Sequence, residues 1–128
     1  MPHRTRRWAV VGILGASALG FGSLAVMATA ASTTNLKISA ASSGALKYNV
    51  SKLTVSKPGK VTITMTNPSP LTHDVAIKGT GVKTTVGKTV GKGGTSKITV
   101  TLKKGTYTFY CSVDGHAAAG MKGTLTVK

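Results

Sequence analysis

The chain has 128 residues, with 17 Lys plus Arg against two acids, Asp74 and Asp114, for a formal charge of +15. Having no Glu, it argues against the paired carboxylates of glycoside hydrolysis and excludes an all-carboxylate calcium or magnesium cage. Its one cysteine, Cys111, excludes an internal disulfide and a four-thiolate zinc site.

Arg4, Arg6 and Arg7 precede an uncharged, apolar stretch from Trp8 to about Ala31, with Ala28-Thr29-Ala30 near its end. A basic start, an apolar middle and a small-residue close have the form of a secretory signal peptide, residues 1–30, cleaved after Ala30. The rival reading is an uncleaved membrane anchor over residues 8–31, because the stretch exceeds the roughly 20 residues that span a bilayer. Gly12, Gly15, Gly20, Gly22, Ser17 and Ser23 dilute its hydrophobicity and favour cleavage. Either way the remainder is expected outside the cytoplasm, in the periplasm, at the cell surface or secreted.

Removal of residues 1–30 leaves 98 residues with 14 Lys and two Asp, a net +12. They keep two His (His73, His116), two Met (Met65, Met121) and Cys111. A free thiol in an oxidising compartment is open to oxidation and cross-linking, so something is expected to occupy it.

Residues 31–34 read as a short tether, followed by a domain over residues 35–128. Beyond the tether the sequence alternates with period two, the mark of strands with one buried face. Leu36 and Ile38 alternate with Lys37 and Ser39, and Leu53 and Val55 with Thr54 and Ser56. After the Pro58-Gly59 turn, Val61, Ile63 and Met65 share one face while Thr62, Thr64 and Thr66 share the other. Val75 and Ile77 continue the pattern. Gly79 to Gly94 holds six glycines and reads as a loose strand with turns. Ile98, Val100 and Leu102 follow, then Tyr107, Phe109 and Cys111 after Gly105, then Leu125 and Val127. Thr and Val enrichment suits a pleated surface, and the mature part carries no helical stripe. About eight strands in under 100 residues predict an all-β fold, an antiparallel sandwich or small barrel.

Cys111, His116 and Met121 are spaced Cys-x4-His-x4-Met in a turn rich in Gly and Ala, and His73 stands 38 residues before the cysteine. A thiolate and two neutral imidazoles can form a trigonal plane around copper, with a thioether as a weak, long axial ligand. Taken singly, each residue is more simply read as packing: a lone Cys is usually a small buried hydrophobe. Met65, alternating inward with Val61 and Ile63, stays in the core on that reading. The combination differs, because every Cys and His of the mature chain falls in the set, and Gly115 and Gly120 directly precede His116 and Met121.

Phe109-Tyr110-Cys111-Ser112-Val113-Asp114-Gly115-His116, continuing through Ala117-Ala118-Ala119-Gly120-Met121 to Leu125, resembles the copper loop of the blue copper proteins, or cupredoxins. The likeness is to plastocyanin- and azurin-like bacterial members. The Asn67–Ile77 segment with His73-Asp74 is similar to the first-histidine region, and Tyr48 through Asn67 to the strands before it. The resemblance spans roughly residues 35–128. It implies an eight-stranded Greek-key sandwich holding one type-1 copper ion at one end. His73 and His116 would bind through ring nitrogen, Cys111 through sulfur, and Met121 axially. Two positions depart from many relatives: Asp114 stands where they have Pro, and Asp74 where they have Asn. A carboxylate near the metal favours Cu(II), so a lower reduction potential than in neutral relatives is expected.

One copper with four protein ligands has no place for substrate, which points to a carrier of single electrons rather than an enzyme. His116 is the expected electron conduit, inside an apolar docking patch of Ala117, Ala118, Ala119 and Gly120 with Pro70 and Leu71. The expected partners are a donor and an acceptor redox protein with acidic docking surfaces, which the lysines would steer. An anionic membrane or cell-surface polymer fits the same charge. Nucleic acid does not, since the lysines are scattered and aromatic side chains are few. The chain is taken as a monomer. The alternative function is copper storage or delivery through the same ligands. A Cys111–His116 thiol nucleophile is a weaker reading, because catalytic pairs usually come from distant segments. Zinc is less suited than copper to a soft thioether.

Overall fold

The computed structural model describes residues 20, 22–27 and 32–128. The expected export segment, residues 1–30, therefore lies almost wholly outside the described residues. No helix among the described residues is long and apolar enough to cross a membrane. The domain is built from eight strands: β1 (Thr34–Ser39), β2 (Lys52–Val55), β3 (Gly59–Thr66), β4 (Ala76–Gly79), β5 (Val82–Val86), β6 (Thr95–Leu102), β7 (Gly105–Tyr110) and β8 (Lys122–Val127). β1 takes in Thr34, the last residue of the expected tether, because Thr34 pairs with Val61.

The strands form two sheets, a three-stranded β1-β3-β6 and a five-stranded β2-β8-β7-β4-β5. The period-two alternation is visible as burial. In β6, Ser96, Ile98, Val100 and Leu102 are buried while Thr95, Lys97, Thr99 and Thr101 face solvent. Val61, Ile63 and Met65 of β3 meet them from the same sheet, and Val55, Ile77, Tyr107, Phe109, Leu125 and Val127 come from the other. Met65 is core, as its alternation implies. Full burial of each such aliphatic or aromatic side chain contributes about 1.5–3 kcal/mol, which drives the two sheets together. Thr62 departs from its expected exposed face: it is buried between neighbouring strands, and its hydroxyl pairs with that of Thr99 at 2.9 Å.

The pairing is mixed rather than wholly antiparallel, since β1 runs parallel to β3 and β2 parallel to β8. A hairpin cannot join parallel neighbours. Here the chain changes sheet after β1, β2, β3, β5 and β6, so successive strands need not be partners. Only β4–β5 and β7–β8 are consecutive neighbours. This Greek-key order is the all-β sandwich that the resemblance implies. It leaves the 40–51, 67–75, 87–94 and 111–121 connections together at one end.

Candidate metal centre

The inward side of β7 carries Tyr107 and Phe109, and the same alternation continues one step past the strand to Cys111, which is 1% exposed. β7 and β8 are antiparallel, with Tyr110 opposite Lys122, so the loop between them starts and ends at adjacent points. The Cys111 amide donates to the Met121 carbonyl at 3.0 Å, and the Met121 amide donates to the His116 carbonyl at 3.0 Å. These two bonds fold the loop back on itself and bring its three predicted ligand residues into one cluster. Gly115 (φ 76°) and Gly120 (φ 114°) take the left-handed conformations that this folding requires and that a side chain would strain. Met121 is fully buried.

His73 arrives from the β3–β4 connection. Its amide donates to the Val90 carbonyl at 3.0 Å, and the Val90 amide returns the bond at 2.9 Å. Asn67 organises the approach: its side-chain amide donates to the carbonyls of Leu71 (2.8 Å) and Val90 (2.9 Å), and its Oδ1 accepts from the Ser69 amide at 3.0 Å. Ser69 Oγ accepts from the Leu71 amide at 3.1 Å and faces His73 Nε2 at 3.1 Å. With its proton on Nε2, His73 donates to Ser69 Oγ and leaves Nδ1 bare and turned inward.

The inward atoms converge. His73 Nδ1 and His116 Nδ1 are 3.2 Å apart, Cys111 Sγ lies 3.6 Å from His116 Nδ1 and 3.9 Å from His73 Nδ1. These three residues form a cluster of ligand atoms all within 4.8 Å of one another. An ion about 2.0 Å from nitrogen and about 2.3 Å from sulfur spans a triangle of this size. Two imidazole nitrogens that close share a cation, or a proton in its absence.

The sequence model described as copper binding proteins, plastocyanin/azurin family, matches residues 34–128. The chain belongs to that family. Copper is therefore its cofactor, and the soft thiolate with two imidazoles is a donor set that fits copper. Among solved structures, dithionite-reduced auracyanin from the photosynthetic bacterium Roseiflexus castenholzii is similar at 29% identity, covering 77% of this chain and 99% of that one with a TM-score of 0.64. Auracyanin A, a "blue" copper protein from Chloroflexus aurantiacus, shares the fold at 23% identity, 76% and 100% coverage and a TM-score of 0.63. Amicyanin from Paracoccus versutus shares it at 18% identity, 73% and 81% coverage and a TM-score of 0.53. No curated protein sequence matches the chain.

The surroundings of this cupredoxin cluster set its charge. Burial pushes the Cys111 thiol up, while the backbone amides of Asp74 and Val113, directed at the sulfur, pull the other way. Burial, then the neighbouring His116, pushes His73 down, against an opposing pull from Asp74. His73 is thus neutral near pH 7, the state a metal needs.

Sequence reasoning placed a carboxylate beside the first histidine but missed what it does. Asp74 is fully buried and accepts from the Ser112 amide at 2.7 Å, from the Ser112 hydroxyl and from Thr89 Oγ1 at 3.2 Å. It fastens the residue after His73 to the residue after Cys111. Tyr48 closes the back, donating its hydroxyl to the Asp74 carbonyl at 2.7 Å and stacking obliquely on Phe109 with ring centroids 5.7 Å apart. Asp114, by contrast, is exposed in the loop. Asn67 and Ser69 were missed as well; the Asn-x-Ser order, which forms side-chain-to-backbone turns, was their only signal.

Proposed function

We propose that the protein is a type-1 (blue) copper carrier of single electrons between extracytoplasmic redox proteins, and not an enzyme. His73 and His116 would hold the ion through Nδ1, Cys111 through its thiolate and Met121 through its thioether. Bound copper supplies a one-electron couple. The convergence of Sγ and the two Nδ1 atoms within 3.2–3.9 Å carries the reading.

The chain's own residues do the rest. His73 and Cys111, at 0% and 1% exposure, keep water from the ion. Asn67, Ser69 and Asp74 hold the ligands in place before the metal arrives, so little rearrangement accompanies a change of oxidation state. His116 differs: it is half-buried, and its Nε2 has no hydrogen-bond partner among the described residues. Every buried side-chain nitrogen and oxygen among the described residues has a partner, so this Nε2 reaches solvent. Its ring spans from the ligand cluster to the surface and is the shortest covalent path for an electron. Around it, exposed Pro70, Leu71, Ala118, Ala119 and Gly120 offer a small apolar face that can desolvate against a partner without burying charge. The exposed lysines of the metal-end connections, Lys47, Lys88 and Lys92, steer acidic partners toward encounter.

Copper delivery is the second reading. It calls for ligands that an acceptor protein can reach, and only His116 meets that need.

The test is to load the full chain with Cu(II) and record visible absorption and electron paramagnetic resonance. An intense thiolate charge-transfer band with narrow copper hyperfine splitting, lost in Cys111→Ser, is expected. A colourless adduct overturns the copper assignment. A blue protein that exchanges no electrons with any redox protein yet loses copper quickly to a mild chelator replaces the carrier with delivery.

A further inference from the structure

Strand directions divide the lysines. β3 and β7 run toward the metal cluster while β4, β6 and β8 run away from it, so the turns after β2, β4 and β6 lie together at the far pole. That pole carries Lys57, Lys60, Lys83, Lys103, Lys104 and Lys128, all exposed. Register brings them close. Gly59 pairs with Leu102, Gly105 pairs with Val127, and the Lys128 amide donates to the Val55 carbonyl at 3.0 Å. Tyr107 donates its hydroxyl to the Lys103 carbonyl at 2.8 Å and so fixes the lysine-bearing turn. Both aspartates belong to the metal end: Asp74 follows His73, and Asp114 sits in the 111–121 loop. The far pole is therefore cationic without an acidic side chain.

The chain also enters the domain there. β1 is parallel to β3 and begins at Thr34 opposite Val61, so the N-terminal segment joins at the lysine pole and not at the metal end. At most three residues, 31–33, separate the apolar stretch from β1, a reach of about 10 Å when fully extended. That is close to the roughly 8–10 Å over which charges act at physiological salt.

We infer that the lysine pole is a docking surface for anionic lipid headgroups, which seats the domain on the bilayer with its metal end facing outward. With the apolar stretch retained in the membrane, the short tether holds these lysines at the headgroups. A cleaved chain keeps the same pole and the same lipid preference with a weaker hold. An acidic redox partner is a poorer occupant. β3 alone separates this pole from the metal end by about 25 Å, so a partner seated here stands far from the copper. The value of facing the metal end outward rests on the copper reading; the docking itself does not.

The experiment places the full chain in vesicles of phosphatidylcholine, with or without phosphatidylglycerol, and labels outward-facing amines with a water-soluble acetylating reagent. Each lysine is read by mass spectrometry, with and without copper, so the outcome stands apart from the copper assignment. On anionic vesicles at low salt, Lys57, Lys60, Lys103 and Lys104 should label at least about fivefold more slowly than on neutral ones, the scale of one lysine's attraction to such a surface. Lys47, Lys88 and Lys92 of the metal-end connections should be unaffected, and added salt should erase the difference. The exposed-site variant K57Q/K60Q/K103Q/K104Q should lose the protection of Lys83 as well. Equal labelling in both lipids, or protection of the metal-end lysines, overturns the inference. So does protection by soluble polyglutamate on neutral vesicles where anionic lipid gives none, which would assign the pole to an acidic protein.

Discussion

The two histidines make opposite use of the same ring. His73 is fully buried, paired through its backbone with Val90 and held at Nε2 by Ser69. His116 stands on a glycine-shaped loop, half-buried, with Nε2 open to solvent. Both present Nδ1 to the same point, 3.2 Å apart. The difference teaches a division of labour: one ligand belongs to the sandwich and fixes the site, while the other belongs to the surface and connects it.

Exchanging each ring for a hole should expose that division most strongly. His73→Gly leaves a buried cavity and strips Ser69 Oγ of one of its two partners, and is expected to cost about 3 kcal/mol of stability and the blue site together. His116→Gly opens a hole at the surface and is expected to cost about 1 kcal/mol or less. Added imidazole should enter that hole and restore the charge-transfer band in His116→Gly, but not in His73→Gly. Chemical denaturation and absorption titration with imidazole check both halves; equal rescue of the two variants removes the distinction.

Asn67 is the next lever, since the rigidity of His73 depends on it. Asn67→Ala removes the donor to Leu71 and the acceptor for the Ser69 amide, both in the approach to the site. Orphaned buried groups cost about 1–3 kcal/mol each; the Ser69 amide is buried but the Leu71 carbonyl is only part-buried, so a total near the low end for two, about 2–3 kcal/mol, is expected. For a domain this size that lowers Tm by roughly 8–20 °C. The copper spectrum should broaden, and the His116 loop should be unaffected in hydrogen exchange.

These contrasts show which parts of the molecule were legible in the sequence. Seven of the eight strands announce themselves by period two, from Leu36 and Ile38 to Leu125 and Val127, because one face of each is core; β5 falls in the glycine-rich stretch read only as a loose strand with turns, and none of its residues is buried. The Cys-x4-His-x4-Met spacing marks the loop, since a hairpin between β7 and β8 holds its own ends together. The parallel neighbours were not legible, because which strands pair depends on where the chain changes sheet. Nor was the Asp74–Ser112 fastening, which joins residues 38 apart that no local pattern relates. His73 could be nominated by composition and by the likeness of its segment to the first-histidine region, but not by its spacing to Cys111: its place there is set by β4 pairing with β7.

The pH dependence follows from the same pair of buried groups. The Cys111 thiol is raised, so it carries a proton near neutrality that the metal must displace. His73 is lowered and carries none there. Copper affinity of the metal-free protein should therefore rise about tenfold per pH unit between roughly pH 7 and 8, about 1.4 kcal/mol per unit, as one proton is released. The raised thiol carries this slope past the ordinary thiol range. The metal-free fold depends on pH in the same sense, at the acid side. Because the folded pKa of His73 lies below its unfolded value, its contribution is intact above about pH 6.5 and is lost as pH falls through the lowered value. Competition titrations with a chelator of known proton dependence and acid denaturation of metal-free protein check the two limbs; His116→Gly should leave the acid limb in place.

The smallest expected effect separates the two aspartates. Both were expected to favour Cu(II), yet Asp74 is buried against Ser112 and Thr89 while Asp114 is exposed in the loop. At a separation of about 7 Å and an effective dielectric of about 20–40, a unit charge acts with roughly 1–2 kcal/mol. Asp74→Asn should raise the reduction potential by roughly 50–100 mV, at 59 mV per tenfold for one electron. The donated hydrogen bonds to Asp74 damp that figure, because they spread its charge. Asp114→Asn should raise it by no more than about 20 mV, and that shift should vanish at high salt, since exposed charges are screened. Redox titration of both variants at two ionic strengths decides the matter. A larger, salt-resistant shift from Asp114 than from Asp74 would mean that the loop carboxylate, not the buried one, sets the field at the metal, and that the loop swings closer to the ion than its exposure implies.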